Sequence, residues 1–233
     1  MQVHPEVDRL KLVYREYGER GWGRTKWSAA NRGNAAIRQE RQQKLKQLLQ
    51  SAGYFPLDQR RILDVGCGTG ATLAGFEAWG ARPENLYGAD LLADRIRRAK
   101  QYFPAMSFQE ANAEALPFVN DFFDLVTVFT VFTSILDPRM AHNVAREISR
   151  VLRARGAVIW YDFRLNNPLN PHVRGISRRG IRELFPEFRP HLVSITLLPP
   201  LARRCGALTG LLYPRLASLP FLRSHYLGLL LKP

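Results

Sequence analysis

Three glycines alternate with other residues directly after a short apolar run, in the segment ILDVGCGTG at positions 62–70. Glycine lets a chain turn tightly and lets its backbone approach a bound ligand without an intervening Cβ atom. Gly66 and Gly68, with Ala71, also satisfy the relaxed pattern of a dinucleotide site. Asp64 favours a different ligand, because a carboxylate at the end of the preceding strand would repel a diphosphate and attract a cationic amine and a sulfonium.

A second carboxylate, Asp90, ends the next apolar run, twenty residues after Gly70. A carboxylate at this place can accept hydrogen bonds from both hydroxyls of a ribose. The alternative is a structural cap for a helix that begins near Leu91. Taken with the glycine turn, Asp90 favours the ribose and therefore a nucleoside ligand.

Alternating apolar runs and helix-length segments predict the elements that must position these residues. Asp137 followed by Pro138 is typical of a helix start, and Gly156 is expected to end that helix. The alternation of strands and helices predicts an α/β fold with a parallel sheet covered on both faces. The first 55 residues show no strand pattern and predict helices, one of them from about Asn34 to Leu49. The predicted strands span 61–65, 85–89, 106–111, 123–130, 157–163, 192–198 and 225–231, and the predicted helices between them span 70–79, 91–103 and 137–153.

Length and composition are those of one globular domain. The chain has 233 residues, of which 46% are hydrophobic and 23% charged. The formal net charge is +14, yet residues 51–130 carry seven basic and ten acidic side chains, so that only the two flanks are basic. This distribution favours basic walls around an anionic small molecule over a continuous nucleic-acid stripe. Two cysteines, no apolar leader and no run of about 18 apolar residues predict a cytoplasmic protein with no metal site and no membrane span.

Residues 57–163 resemble the class I S-adenosylmethionine-dependent methyltransferase superfamily. The resemblance rests on Asp64 and the glycine turn, on Asp90, and on the segments ANAEALPF at 111–118, FDLVT at 123–127 and REISRVLR at 146–153. It implies a Rossmann-like three-layer sandwich whose seven-stranded sheet is mostly parallel, with an antiparallel last strand and a helical amino-terminal lid. It also implies a single structural domain in which residues 1–55 form the lid and substrate segment and residues 56–233 the methyltransferase domain.

The resemblance further implies S-adenosyl-L-methionine as the cofactor and assigns its contacts. The glycine turn would hold the methionine moiety, Asp90 the ribose, and Asn112 the adenine amine. The family usually has Asp at the position of Asn112, but an amide carbonyl can still accept that hydrogen bond. The implied cofactor-binding residues are Asp64, Gly66, Cys67, Gly68, Gly70, Asp90, Leu91, Asn112, Ala113 and Phe129.

The methyl acceptor is expected beside the loop that follows the fifth strand, at 160–174. His172 and Asp162 are the candidate general bases there, while the alternative for this loop is a series of self-capping Asn-Pro turns. Aromatic residues near the amino terminus would close over the acceptor, or would instead fasten a helix to the body. The expected acceptor-binding residues are Tyr14, Tyr17, Trp22, Phe132, Arg164, Asn167 and Arg174.

The expected reaction is methyl transfer to oxygen or nitrogen of a small acceptor that is anionic or linked to a lipid or sugar. Such an in-line displacement needs an aligned nucleophile, and a base where the acceptor carries a proton. A nucleic-acid methyltransferase is one alternative, but the segment FTVFTS at 129–134 lacks the Asn/Asp-Pro-Pro-aromatic motif of base-amine methylation, so no nucleic-acid partner is expected. A non-catalytic regulator that binds the cofactor is another. The leucine- and proline-rich segment at 197–222, which carries Arg203, Arg204 and Arg215, also suggests a membrane surface or a lipid-linked substrate, or else merely packs across the sheet.

Overall fold

Short runs of branched and aromatic residues form the central sheet in the computed structural model, which describes residues 5–21, 26–168 and 170–233. Both β1 and β4 are buried along almost their whole length, because helices cover the two faces of the sheet. This double coverage explains why the two strands are nearly continuous apolar runs in the sequence. The strands are β1 (Ile62–Val65), β2 (Leu86–Asp90), β3 (Ser107–Glu110), β4 (Phe123–Phe129), β5 (Leu152–Phe163), β6 (Arg189–Leu197) and β7 (Arg223–Leu231).

The strands lie in the order β3-β2-β1-β4-β5-β7-β6. Strands β1 to β5 pair in parallel, whereas β7 is antiparallel to both of its neighbours, β5 and β6. The prediction of a seven-stranded, mostly parallel sheet with an antiparallel last strand is confirmed. An antiparallel strand between β5 and β6 also distinguishes this sheet from the parallel 3-2-1-4-5-6 order of dinucleotide-binding folds.

Helix α5 shows how the sequence specifies a helix that covers the sheet. Asp137 caps its first turn by accepting a hydrogen bond from the N–H of Arg139 at 2.8 Å, and Met140, Val144 and Ile148 repeat along its buried face. None of the helices in the described part of the chain combines the length and apolar character needed to cross a bilayer. The α-helices are α1 (Pro5–Glu19), α2 (Arg32–Ser51), α3 (Ala71–Glu77), α4 (Ala93–Tyr102), α5 (Pro138–Val151), α6 (Arg178–Leu184), α7 (Pro199–Arg204) and α8 (Thr209–Ala217).

The two helices of the predicted lid segment, residues 1–55, occupy different places. Helix α2 buries Leu45 and Leu49 in the core beneath β1, and it contacts β6, β7, α7 and α8. Helix α1 instead crosses the carboxyl edge of the sheet, with Leu10 buried in the core layer that α5 and α6 form on the other face. Helix α2 is therefore part of the body of the fold, and the lid role stays a prediction for α1.

Gly156 lies inside β5 rather than at the end of a helix, which corrects the predicted boundary. Helix α5 ends at Val151 and β5 begins at once, with Leu152 paired to Phe123. A Cβ atom at residue 156 would lie 2.9 Å from the carbonyl oxygen of Asp124. Glycine is required here because β4 approaches closely.

Candidate active site

The glycine turn connects β1 to α3 at the carboxyl edge of the sheet. Gly66, Gly68 and Gly70 have φ angles of +74°, +56° and +89°, in the left-handed region that favours glycine. A Cβ atom added to Gly68 would meet nothing within 4 Å, so this backbone borders open space. The N–H groups of Gly66 and Cys67 donate to the carbonyl of Ala89 at 2.7 and 3.1 Å, which holds the turn against β2. The turn thus presents backbone to a ligand at the ends of β1 and β2.

Asp90 and the glycine turn form one unit. The buried carboxylate accepts a hydrogen bond from the N–H of Gly68 at 2.8 Å and another from the N–H of Leu92 at 2.9 Å, one on each oxygen. The Arg95 guanidinium lies 4.0 Å away, and Leu91 packs against the core. Each carboxylate oxygen has a further lone pair, so Asp90 can accept ribose hydroxyls while it holds the turn.

Asp64 is buried behind the turn, and its carboxylate accepts a hydrogen bond from the hydroxyl of Thr127. Burial raises the pKa of Asp64 to about 7, although the Thr127 and Thr72 hydroxyls and the charge of Arg41 oppose the shift. Burial and the nearby carboxylates also raise the pKa of the Cys67 thiol, which therefore stays neutral and unreactive. A cation bound beside Asp64 would favour its ionised form, so the site suits an ammonium or sulfonium group.

Asn112 follows β3 and is fixed by local hydrogen bonds. Its Oδ1 accepts from the N–H of Glu114 at 3.1 Å, and its Nδ2 donates to the Glu114 carboxylate at 3.2 Å. Ala113 packs against the core beside it. The Asn112 carbonyl keeps a lone pair for a further donor, and its contact with an adenine amine stays a prediction.

A guanidinium not predicted from the sequence lies beside the ends of β4 and β5. The Cζ atom of Arg41, on α2, is 5.0 Å from the ring centroid of Phe129 and 4.9 Å from that of Tyr161. Arg41, Phe129 and Thr72 line the same cleft. Arg41 is absent from the ion pairs found among the described residues. The aromatic rings thus hold a cation with its hydrogen-bond donors available to a ligand.

Strand β7 adds His225 to this aromatic wall. Its register places His225 opposite Phe163, and its imidazole stacks on Tyr161 with the ring centroids 4.6 Å apart. Burial and the nearby charge of Arg41 lower the pKa of His225 to about 3. The imidazole is therefore neutral near pH 7, and Arg41 is the cation of this wall.

Helix α1 is fastened over the turn that follows β4. Glu6 accepts from the N–H of Leu136 at 2.6 Å and forms an ion pair with Arg9, which donates to the carbonyl of Ser134 at 2.5 Å. The hydroxyl of Tyr14 shares a hydrogen bond with the Ser134 hydroxyl at 2.9 Å. These contacts place the predicted Tyr14 beside the site, in the position of a cover.

The remaining predicted acceptor residues are dispersed. The hydroxyl of Tyr17 is hydrogen-bonded to the side chain of Asn170, at 3.2 and 3.0 Å for its two atoms, which joins α1 to the loop after β5. Asn167 and Arg174 are exposed on that loop. Trp22 lies outside the described residues.

Arg164 is held by the connection between β6 and β7, and its predicted contact with the acceptor stays a prediction. Its guanidinium donates to the carbonyl of Pro220 at 3.0 Å and lies 5.4 Å from the ring centroid of Tyr226. The structure therefore uses Arg164 to join the loop after β5 to the connection between β6 and β7.

Phe132 is packed in the core, and its predicted contact with the acceptor stays a prediction. The short 3-10 helix at 132–134 carries its ring into the core under α5 and α6, where it is 1% exposed and stacks on Trp160 with the centroids 5.0 Å apart. The rings of Phe129 and Tyr161, which contact Arg41, lie on the opposite face of the sheet.

The two candidate bases have different environments. Asp162 is fully buried, and its carboxylate accepts from the N–H and the hydroxyl of Thr133 at 3.1 and 2.5 Å. Burial raises its pKa to about 7. His172 is half-buried in the loop after β5, and its N–H donates to the Asn170 side chain at 3.1 Å. Asp162 thus has the contacts of a positioning residue that joins β5 to the turn after β4, and the general-base role of either residue stays a prediction.

The fold is that of the class I methyltransferases, and comparisons with known proteins agree with it. Residues 62–156 match the family model of a methyltransferase domain. The chain is 32% identical over 110 residues to a ubiquinone/menaquinone biosynthesis C-methyltransferase UbiE of Pectobacterium carotovorum. This match covers 45% of this chain and 43% of that protein. It is 29% identical over 136 residues to a phthiotriol/phenolphthiotriol dimycocerosates methyltransferase of Mycobacterium ulcerans, over 58% of this chain and 49% of the relative.

A solved SAM-dependent methyltransferase from Archaeoglobus fulgidus shares the fold, with a TM-score of 0.57 and 16% identity over 82% of this chain and 94% of that one. The chain spans less than half the length of the two curated relatives. The resemblance to the class I S-adenosylmethionine-dependent methyltransferase superfamily, inferred from the glycine turn and Asp90, is thus confirmed, and the match to the methyltransferase-domain model covers residues 62–156.

Proposed function

We propose that this protein transfers a methyl group from S-adenosylmethionine to a lipophilic small molecule that carries an ionisable hydroxyl group. The observation that carries the proposal is the joined glycine turn and Asp90, in which one carboxylate orients the turn through Gly68 and keeps lone pairs for a ribose. The names of the two curated relatives, one a quinone and one a dimycocerosate methyltransferase, support a lipophilic acceptor.

The open backbone at Gly68 and the buried carboxylate of Asp64 fit a nucleoside with a cationic amino-acid tail. When bound, S-adenosylmethionine supplies an electrophilic methyl group on a sulfonium. Asp90 would hold the ribose and Asp64 would favour the cationic tail, while the backbone of the turn allows close approach.

Arg41 supports an acceptor with an anionic oxygen. A guanidinium held between Phe129 and Tyr161 can donate two hydrogen bonds to an oxyanion and so favours its ionised form. An acceptor that is already ionised needs no general base at the moment of transfer. The acceptor would lie beside Arg41, at the carboxyl edge of the sheet that α1 also crosses.

Calorimetry with S-adenosylhomocysteine tests the cofactor site. Asp90→Ala is expected to abolish measurable binding, because it removes the ribose acceptor and releases the turn. Asp94→Ala, an exposed carboxylate four residues further on, is the matched control and should bind like the wild type. Equal affinities of the wild type and Asp90→Ala would contradict the site.

Radiolabelled methyl transfer into fractions of a cell extract tests the acceptor class. Label is expected in the organic-solvent fraction, and mass analysis then shows whether oxygen or a neighbouring carbon is methylated. Label in RNA would instead support a nucleic-acid acceptor. Cofactor binding with no label in any fraction would support a regulator without turnover.

A further inference from the structure

The connection between β6 and β7, residues 198–222, presents an apolar surface at the carboxyl edge of the sheet. We define the apolar surface as Leu208, Leu211, Leu219 and Phe221, which are 58%, 53%, 39% and 69% exposed. All four lie within residues 208–221, whereas exposed apolar side chains that need no functional explanation are scattered singly. The cysteine of this connection, Cys205, is buried and takes no part in the surface.

The inner face of the connection is firmly packed, so the outward residues are held in place. Tyr213 and Ala217 are buried on the inner side of α8, and the Tyr213 hydroxyl donates to Glu40 on α2 at 2.7 Å. One residue of the apolar surface, Leu211, lies on the outer side of the same helix. The residues of the apolar surface are therefore exposed although the segment that carries them is packed on the body of the protein.

The charged side chains of the connection itself are all positive. No Asp or Glu occurs between residue 188 and residue 233, whereas Arg203, Arg204 and Arg215 all belong to the connection. Arg204 and Arg215 are exposed, and Arg203 lies 5.3 Å from the ring centroid of the half-exposed Trp27. Leucines, an aromatic side chain and arginines on one surface are typical of segments that lie in the interface of an anionic bilayer.

The connection also adjoins the candidate acceptor site. Strand β6 ends and β7 begins at the edge where β4 and β5 end, and His225 on β7 pairs with Phe163 of β5. Arg164, in the loop after β5, is hydrogen-bonded to Pro220 beside Phe221. A bilayer in contact with the apolar surface would therefore lie next to the place where an acceptor enters.

We infer that the apolar surface docks the protein on an anionic lipid bilayer, which gives the acceptor site access to molecules dissolved in the membrane. The role of docking in acceptor access rests on the proposed function, but the docking itself does not. A second copy of the chain is a poor occupant, because self-association would bring two arginine-rich segments without acidic residues together.

Cosedimentation of the full chain with vesicles tests the inference. We expect binding to phosphatidylcholine vesicles that contain phosphatidylglycerol, much weaker binding to phosphatidylcholine alone, and release at high salt. The double variant Leu211→Ser with Phe221→Ser should lower the partition coefficient about tenfold or more, because both side chains leave the acyl boundary. Arg204→Gln and Arg215→Gln should each lower it about fivefold.

Matched controls are Tyr102→Ser and Val119→Ser, which remove exposed side chains near the amino ends of β3 and β4 and should leave vesicle binding unchanged. The melting temperature and the affinity for S-adenosylhomocysteine should match the wild type in every variant, which separates docking from folding and from the proposed function. The inference is overturned by wild-type protein that does not bind anionic vesicles at low salt, or by binding that the double variant retains. A change from dimer to monomer in the double variant, measured by analytical ultracentrifugation, would assign the surface to self-association instead.

Discussion

The guanidinium of Arg41 lies 4.9 Å from the ring centroid of Tyr161, although the first residue belongs to α2 and the second to β5. Arg41 stands in the buried stripe of its helix, four residues after Ile37 and four before Leu45. A helix repeats its faces every three to four residues, so the stripe that packs α2 on the sheet also carries this cation. The packing of α2 thus places a positive charge beside the end of β5.

Arg41→Gln is expected to lower kcat/KM for the acceptor by about 10- to 100-fold, the loss that follows from removing a charged hydrogen bond. The affinity for S-adenosylhomocysteine should change little. Arg41→Lys should recover only part of the activity, because an ammonium cannot donate a planar pair of hydrogen bonds. Lys44→Gln, on the exposed side of the same helix, is the control. A loss confined to cofactor affinity would place the cofactor carboxylate, rather than the acceptor, at Arg41.

The affinity for S-adenosylmethionine should rise with pH between about 5.5 and 7.5. Burial raises the pKa of Asp64 to about 7, so protons compete with the cationic ligand over this range. The titration of one group changes the dissociation constant for S-adenosylmethionine by at most about tenfold per pH unit. Calorimetry at constant ionic strength measures it, and Asp64→Asn should bind more weakly with a nearly flat profile. A flat profile in the wild type would show that Asp64 does not sense the cofactor charge.

The free energy of unfolding should fall as pH rises from about 4 to 7, partly through Asp162. Burial raises the pKa of Asp162 to about 7, so the folded protein holds a proton that the unfolded chain releases near the ordinary carboxyl pKa. One such group contributes at most about 1.4 kcal/mol per pH unit. Urea unfolding of Asp162→Asn should therefore show a shallower pH dependence than the wild type. The exposed Asp94→Asn should keep the wild-type slope, and an unchanged slope in Asp162→Asn would contradict the assignment.

Glu6→Gln should loosen α1 without unfolding the sheet. Glu6 joins Arg9 to the backbone of Leu136, and these hydrogen bonds hold the helix over the turn after β4. Losing the charge should weaken the contact by about 1 kcal/mol, so limited proteolysis near the amino terminus and release of S-adenosylhomocysteine should both be about fivefold faster. Glu16→Gln, which affects only an exposed pair with Arg20 on the same helix, should leave both rates unchanged.

Features encoded by neighbouring residues were predictable from the sequence. The glycine turn, Asp90 and the seven strands depend on local spacing, and the antiparallel β7 followed from the family resemblance. Arg41 continues the spacing of Ile37 and Leu45, and a charge at a position of an apolar stripe implies a specific environment. The apolar stripe is hard to recognise from the sequence because α2 also carries basic residues outside it.

Features that depend on the path of the chain between elements were not predictable in the same way. Phe129 and Phe132 both follow the apolar run of β4, but one short 3-10 helix places their rings on opposite faces of the sheet. A glycine at position 156 predicts the end of a helix, but in the structure Gly156 lies within a strand, where the backbone of Asp124 approaches it closely. The face on which a ring lies and the element that contains a glycine thus depend on neighbours that are distant in sequence.

The connection between β6 and β7 lies apart from the strands that carry the proposed cofactor contacts. Those contacts belong to β1, β2 and the turn between β1 and α3, whereas the aromatic wall belongs to β4, β5 and β7. Because the β6–β7 connection begins and ends at one edge, its length and composition can change without shifting the register of any strand pair. Exchanging this connection between relatives should therefore exchange their preferences for lipid and acceptor, while the affinity for the nucleoside cofactor stays the same.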